Sequence, residues 1–160
     1  MNYIFEDLMK IRKHREQYAL NRILQARKRL REAKDEAQKR AKELSDFIRW
    51  RKYEENRLFD AIKRKYKKII HLNQYNQCVD ALVQEQDKLI EQLYQAEQQV
   101  KLAAEEDKKA YEQYILRHRE KIKLEEHRKN WILKQTTIDQ RHEENEVGEL
   151  STMRYNTVRS

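Results

Sequence analysis

The side chains that could bind a metal or move a proton are few and scattered. His71 and Cys78 lie seven apart and share a helical face only if no turn intervenes, and His118 and His127 lie nine apart. There is no Cys-x-x-Cys and no His-Glu-x-x-His, the spacings that gather ligands for zinc. The five histidines therefore read as surface residues, and Cys78, alone, offers no disulfide framework and fits a reducing cytoplasm. Glu105, Glu106 and Asp107 resemble paired acids, but acid–base chemistry needs a cleft around the substrate, and without one they read as a solvated face. No glycine-rich phosphate loop exists, since Gly148 is the only glycine. The chain is expected to be no enzyme, with no catalytic residue, no metal and no cofactor.

Two other groupings point to binding. The first is the run Arg27-Lys28-Arg29-Leu30-Arg31. A basic helix leading into a leucine zipper would enter a DNA groove. Here no leucine repeat follows, and Glu32, Asp35, Glu36 and Glu43 interrupt the charge, so nucleic acid is the weaker reading. The second is the segment 47–60, in which Trp50, Tyr53 and Arg57 fall well away from the face formed by Leu44, Ile48, Leu58 and Ile62. Exposed Trp, Tyr and Arg together are the residue types of a binding hot spot. The alternative is that Trp50 lies along the packed seam beside aliphatic Lys and Arg stems. Trp131 differs, because it holds a core position of the repeat and is expected to pack.

The elements that carry these residues follow from composition. Of 160 residues, 40% are charged and 38% apolar, with one glycine and no proline, which is the composition of a long helix or coiled coil. Nothing interrupts a helix and little builds a tight turn. Residues 1–80 hold 22 Lys/Arg against 12 Asp/Glu, and residues 81–160 hold 14 against 16, so the two halves attract each other if packed side by side. The N-terminus has no apolar core of a signal peptide, and no stretch approaches the roughly 20 apolar residues of a membrane span.

The fold class expected is all-α, a long two-helix antiparallel coiled-coil hairpin. Helix 1 covers about 2–71, opening on an Asn2 cap, with a turn at about 72–76, helix 2 at about 77–147 and a disordered tail over 148–160. The first seam runs Ile4, Leu8, Ile11, then Ala19, Ile23, Ala26, Leu30, Ala33, Ala37, and after an extra step of four continues as Ala41, Leu44, Ile48, Leu58, Ile62, Tyr66 and Ile69. The second has Leu82, Leu89, Ala96, Ala103, Ala110, Arg117, Leu124, Trp131 and Ile138 seven apart, with companions Val79, Gln86, Leu93, Val100, Asp107, Tyr114, Lys121, Arg128 and Gln135. Folding about residue 73 pairs Leu58 with Leu89, Leu44 with Ala103 and Ala33 with Tyr114. The apolar companions lie early in helix 2, so the hairpin is expected to be tight near its turn and looser toward the termini. Each arm would be about 100 Å long at 1.5 Å per residue.

The residues Trp50-Arg51, Glu54-Glu55 and Arg57-Leu58-Phe59-Asp60 resemble a stretch of the YscO family of type III secretion proteins, the injectisome counterparts of flagellar FliJ. The match covers about eleven residues, and the tail after Gly148 is outside it. The resemblance implies a stalk like the gamma subunit of rotary ATP synthases, without activity of its own. One end would sit in the hexameric secretion ATPase, and the rest would reach the cytoplasmic ring of the export gate and bind secretion chaperones. On that reading Lys10, Arg12, Lys13, Arg15, Arg22, Arg117, Arg119, Arg128 and Lys129 face the ATPase, while Trp50, Tyr53, Arg57 and Phe59 face the gate or a chaperone. The chain would be cytoplasmic at the base of the apparatus and monomeric when alone. The competing reading is a self-associating structural coiled coil.

Overall fold

The computed structural model describes residues 2–65 and 69–159, and in them the chain forms two long helices packed as a hairpin. Helix α1 is Glu6–Lys65 and helix α2 is Ile69–Arg159. The contacts divide the chain into two compact units, Met1–Asn21 with Glu112–Ser160, and Arg22–Tyr111. Each unit contains a stretch of both helices.

The seam is the organising feature. On α2 the buried and half-buried residues recur as Val79, Leu82, Gln86, Leu89, Leu93, Ala96, Val100, Ala103, Asp107, Ala110 and Tyr114, then Arg117, Lys121, Leu124, Arg128, Trp131 and Gln135, which is the repeat expected from spacing; Ile138 is exposed. On α1 the seam holds from Ala19 through Ala37. Beyond it Ala41 is exposed and Arg40 takes the seam position, while the extra step falls at Leu44 to Ile48, where Phe47 and Ile48 are both half-buried. The long Arg40 stem covers the seam while its head bonds Glu36 and Gln92. Ile4, Ile11 and Ile69 are exposed, and the Tyr66 position lies outside the described residues.

The segment 72–76, expected as the turn, is helical: α1 runs to Lys65 and α2 starts at Ile69. The pairing shifts with it. Arg27 meets Asp107 and Glu6 meets Arg128, pairs whose numbers sum to 134 instead of about 147, so the pairings centred on residue 73 do not form. A heptad seam shifted by close to two repeats presents the same apolar stripe, so hydrophobic spacing alone leaves the register open. Polar residues within the seam resolve it. Arg51 reaches Gln86 across the helices, and Glu16 reaches Lys121.

The gradient of burial also runs opposite to expectation. Among the described residues the buried apolar ones are Tyr3, Met9, Ala19, Ile23, Ala26, Ala103 and Leu124, none of them in the last turns of α1 or the first turns of α2. Phe47, Ile48, Leu58, Leu82 and Leu89 are only half-buried, because a two-helix seam leaves a large side chain open to water on one flank. An alanine layer is small enough to be covered.

At the N-terminus Asn2 does not cap the helix. The Glu6 N–H donates to the Tyr3 carbonyl at 3.1 Å and the Met9 N–H to the Phe5 carbonyl at 2.8 Å, and Tyr3 itself is buried. Burying the aromatic ring outweighs the hydrogen bond that an Asn cap would supply. The expected tail at 148–160 is also different, since α2 continues to Arg159. Gly148 has an ordinary helical φ, and one glycine costs a helix only about 1 kcal/mol. Thr152 Oγ1 donates to the Gly148 carbonyl at 2.9 Å, one of several threonines that bond back along this helix.

Candidate functional site

The cations expected to face an ATPase fall into two groups. Lys10, Lys13, Arg15, Arg119 and Lys129 are exposed in the unit that contains the chain termini. Lys10 and Lys13, three apart, share a helical face, and Arg15 lies on the opposite flank. Arg22 is exposed and belongs to the other unit. The remaining three are half-buried and partnered. Arg12 donates to the Glu120 carbonyl at 2.7 Å, Arg117 pairs with Glu120 at 3.2 Å, and Arg128 lies 3.5 Å from Glu6. Arg12 and Arg128 thus bond across the hairpin, while the Arg117 pair lies within α2.

The same unit contains a network that spacing did not reveal. Glu16 accepts from Lys121 Nζ at 3.1 Å and lies 3.1 Å from His118 Nδ1, whose ring stacks on Tyr114. Burial pushes the Glu16 carboxyl up, but the hydrogen bonds from Lys121 and His118 outweigh it and leave Glu16 below its ordinary value of 4.5. Tyr3 Oη lies 2.6 Å from His127 Nδ1, and its ring packs on Trp131 with centroids 5.3 Å apart. His118 and His127, read as surface residues, thus each have a cross-helix partner. No repeat signals this, because Tyr3 precedes the helix and its partner His127 lies 124 residues away.

The aromatic segment is split. Trp50, Tyr53 and Arg57 stand at i, i+3 and i+7 on one face, with Trp50 47% and Tyr53 70% exposed. Phe47 leans on Trp50 with ring centroids 5.5 Å apart. Arg57 donates from Nε to Glu54 at 3.0 Å and from a second nitrogen to the other carboxylate oxygen. That bond lowers the Glu54 pKa and raises that of Arg57. Phe59, nine residues from Trp50, points about 180° away around the helix and meets the ring of Tyr75 at 6.5 Å. Trp50, Tyr53 and Arg57 therefore form one surface, and Phe59 does not join it.

Among the described residues no group of three His, Cys, Asp or Glu is placed to hold a metal, and no helix is long and apolar enough to cross a membrane.

A family model described as "Type III secretion protein YscO" matches residues 5–153. This chain belongs to the YscO family. The match spans both helices and runs past Gly148, so the start of the segment that spacing set apart as a tail lies within it. No curated protein matches significantly. A solved structure of a YscO homolog from Chlamydia trachomatis superposes with a TM-score of 0.80 over 98% of this chain and 96% of that one, at 17% identity. The helical hairpin is thus the fold of that YscO homolog as well, carried by very different residues.

Proposed function

We propose that this YscO-family protein is a non-enzymatic central stalk of a type III secretion apparatus, acting in the cytoplasm at its base. The exposed cations Lys10, Lys13, Arg15, Arg119 and Lys129 engage acidic loops of the hexameric secretion ATPase. Trp50, Tyr53 and Arg57 engage the cytoplasmic ring of the export gate or a secretion chaperone. Family membership supports the role, and the observation that carries the assignment is the gathering of five exposed cations in one unit of the hairpin, where Arg12 and Arg128 are held across the helices and Arg117 pairs within α2, while Arg22 lies in the other unit. Exposed charges steer association and can be reversed without touching the seam.

The test is ATPase stimulation by the full chain carrying Lys10→Glu, Lys13→Glu and Lys129→Glu. The concentration giving half-maximal stimulation should rise by about tenfold or more at low salt, with helicity unchanged. Unaltered stimulation sinks the assignment. The wild-type chain should be monomeric by light scattering, whereas a concentration-dependent dimer would favour the self-associating coiled coil.

A further inference from the structure

The basic run at 27–31 is answered across the helices, since Arg27 lies 3.7 Å from Asp107 and Arg29 lies 3.9 Å from Glu106. A second basic stretch in the same unit has no such answer. Residues 61–79 hold five Lys/Arg and no Asp or Glu, in a chain that is 40% charged. With a turn at 72–76 those cations would lie along the side of one helix. Because α1 runs to Lys65 and α2 starts at Ile69, the stretch instead spans the end of one helix and the start of the next. Lys63 and Arg64 are exposed in the last turn of α1 and make no ion pair among the described residues. Asp60, within one turn of both, pairs with neither. The facing part of α2 is fixed by the Phe59 ring, which meets Tyr75 at 6.5 Å. There residues 69–79 contain no Lys, Arg, Asp or Glu, and the first carboxylate of α2 is Asp80, about three turns from its start. Ile69 and Ile70 are 79% and 63% exposed. They fall more than about 100° around α2 from Tyr75, on the side away from the seam.

We infer that this end of the helix pair docks on the surface of an anionic lipid bilayer. Lys63 and Arg64 take headgroup phosphates, and Ile69 and Ile70 enter the boundary between headgroups and acyl chains. The charge pattern fits that surface, because a carboxylate among the cations would be repelled by anionic lipid and here α2 offers none for its first turns. Asn73, Gln74, Asn76 and Gln77, all exposed, can exchange water for headgroup hydrogen bonds without stripping the hydration of a charge. The isoleucines decide against other polyanions. Duplex DNA would satisfy the cations and leave both aliphatic side chains in water. A protein partner would need apolar groups shaped to two side chains about 100° apart on one helical turn, whereas acyl chains need no such shape. The contact is peripheral, since among the described residues no helix is long and apolar enough to cross a membrane. It uses none of the residues assigned to the stalk role, so its fate and that of the stalk are independent.

The experiment sediments the full chain with vesicles of phosphatidylcholine, alone or with roughly one quarter phosphatidylglycerol. The anionic vesicles should bind at least about tenfold more tightly than the zwitterionic ones. Lys63→Glu with Arg64→Glu should weaken that binding about tenfold or more. Arg31→Glu with Lys34→Glu makes the same change of charge at two exposed cations elsewhere in the unit and should weaken it less than about twofold. Ile69→Ser with Ile70→Ser should weaken it severalfold, at high salt as well, where the charge contribution is screened. A polarity-sensitive fluorophore on Cys78, exposed in the same stretch, should shift to the blue on anionic vesicles and not on zwitterionic ones. Circular dichroism checks that each variant stays helical, and Lys63→Arg with Arg64→Lys should bind as the wild type does. An equal loss from the Arg31 and Lys34 reversal would mean general attraction of a basic chain to negative charge. Indifference to the isoleucine substitutions would mean that no side chain enters the bilayer. Displacement from the vesicles by duplex DNA or polyglutamate at matched charge would assign the cations to another polyanion. Each of these three results overturns the inference.

Discussion

The two tryptophans stand in nearly the same chemical company and have opposite fates. Trp131 has Tyr3 against its ring, with Phe5 and His127 completing the cluster; Trp50 has Phe47 beside it, with Tyr53 and Arg57 nearby on the helix. Trp131 occupies a seam position and is half-buried under residues that the N-terminal segment folds over it, while Trp50 faces outward and is nearly half exposed. The difference teaches that, on a helix pair, heptad position decides whether an aromatic residue packs into the fold or is left exposed. Composition alone does not.

The largest expected break in that comparison is Trp131→Ala. It should destabilise the unit holding the chain termini by about 2 kcal/mol, the loss of a partly covered ring and its contacts, read as a lower midpoint in urea. Little or no change in the midpoint would mean that the Tyr3 cluster adds nothing to stability.

A middle-sized effect is expected from pH. Glu16 has a lowered pKa in the folded chain, so its contribution is present above its ordinary value of 4.5 and is lost as pH falls through the lower folded value. In a Trp50→Phe background, where Trp131 is the reporter, fluorescence should show the terminal unit loosening as pH drops below about 4.5. Glu16→Gln should reduce stability at neutral pH and flatten that part of the profile. Persistence of the same slope in the Gln variant would place the acid sensitivity elsewhere.

The smallest structural effect should come from Trp50→Ala with Tyr53→Ala, less than about 0.5 kcal/mol in stability, since neither side chain holds the seam. Under the proposed stalk role, the same pair should lose binding to the export gate or a chaperone in a pull-down. A fall in melting temperature would mean that Trp50 packs after all and would dissolve the contrast between the two tryptophans.

Legibility in the sequence follows the repeat. The α2 seam from Val79 to Trp131 is readable residue by residue, because an unbroken heptad repeat leaves one stripe along the helix. Trp50, Tyr53 and Arg57 are readable as a face for the same reason. Phe59 is not, since its proximity in sequence hides a half-turn of rotation about the helix. Tyr3 escapes notice because it precedes the helix, and Met9 because polar Arg12 and Glu16 hold the two repeat positions between it and Ala19, so apolar spacing picks out Ile4, Leu8 and Ile11 instead. Arg12, Arg117 and Arg128 look like free cations in the sequence, and only their hydrogen-bond and ion-pair partners show that they are not.

The sequence by itself determined that this chain is helical along nearly its whole length and that it folds on a heptad seam. Those follow from the lack of proline, the single glycine and the spacing of apolar residues, which act locally. The tertiary structure decided where the hairpin breaks, which residues face each other and which charges remain available. A heptad repeat shifted by whole repeats buries nearly the same surface, so only pairs distant in sequence, such as Arg51 with Gln86, Glu16 with Lys121 and Tyr3 with His127, separate one register from the next.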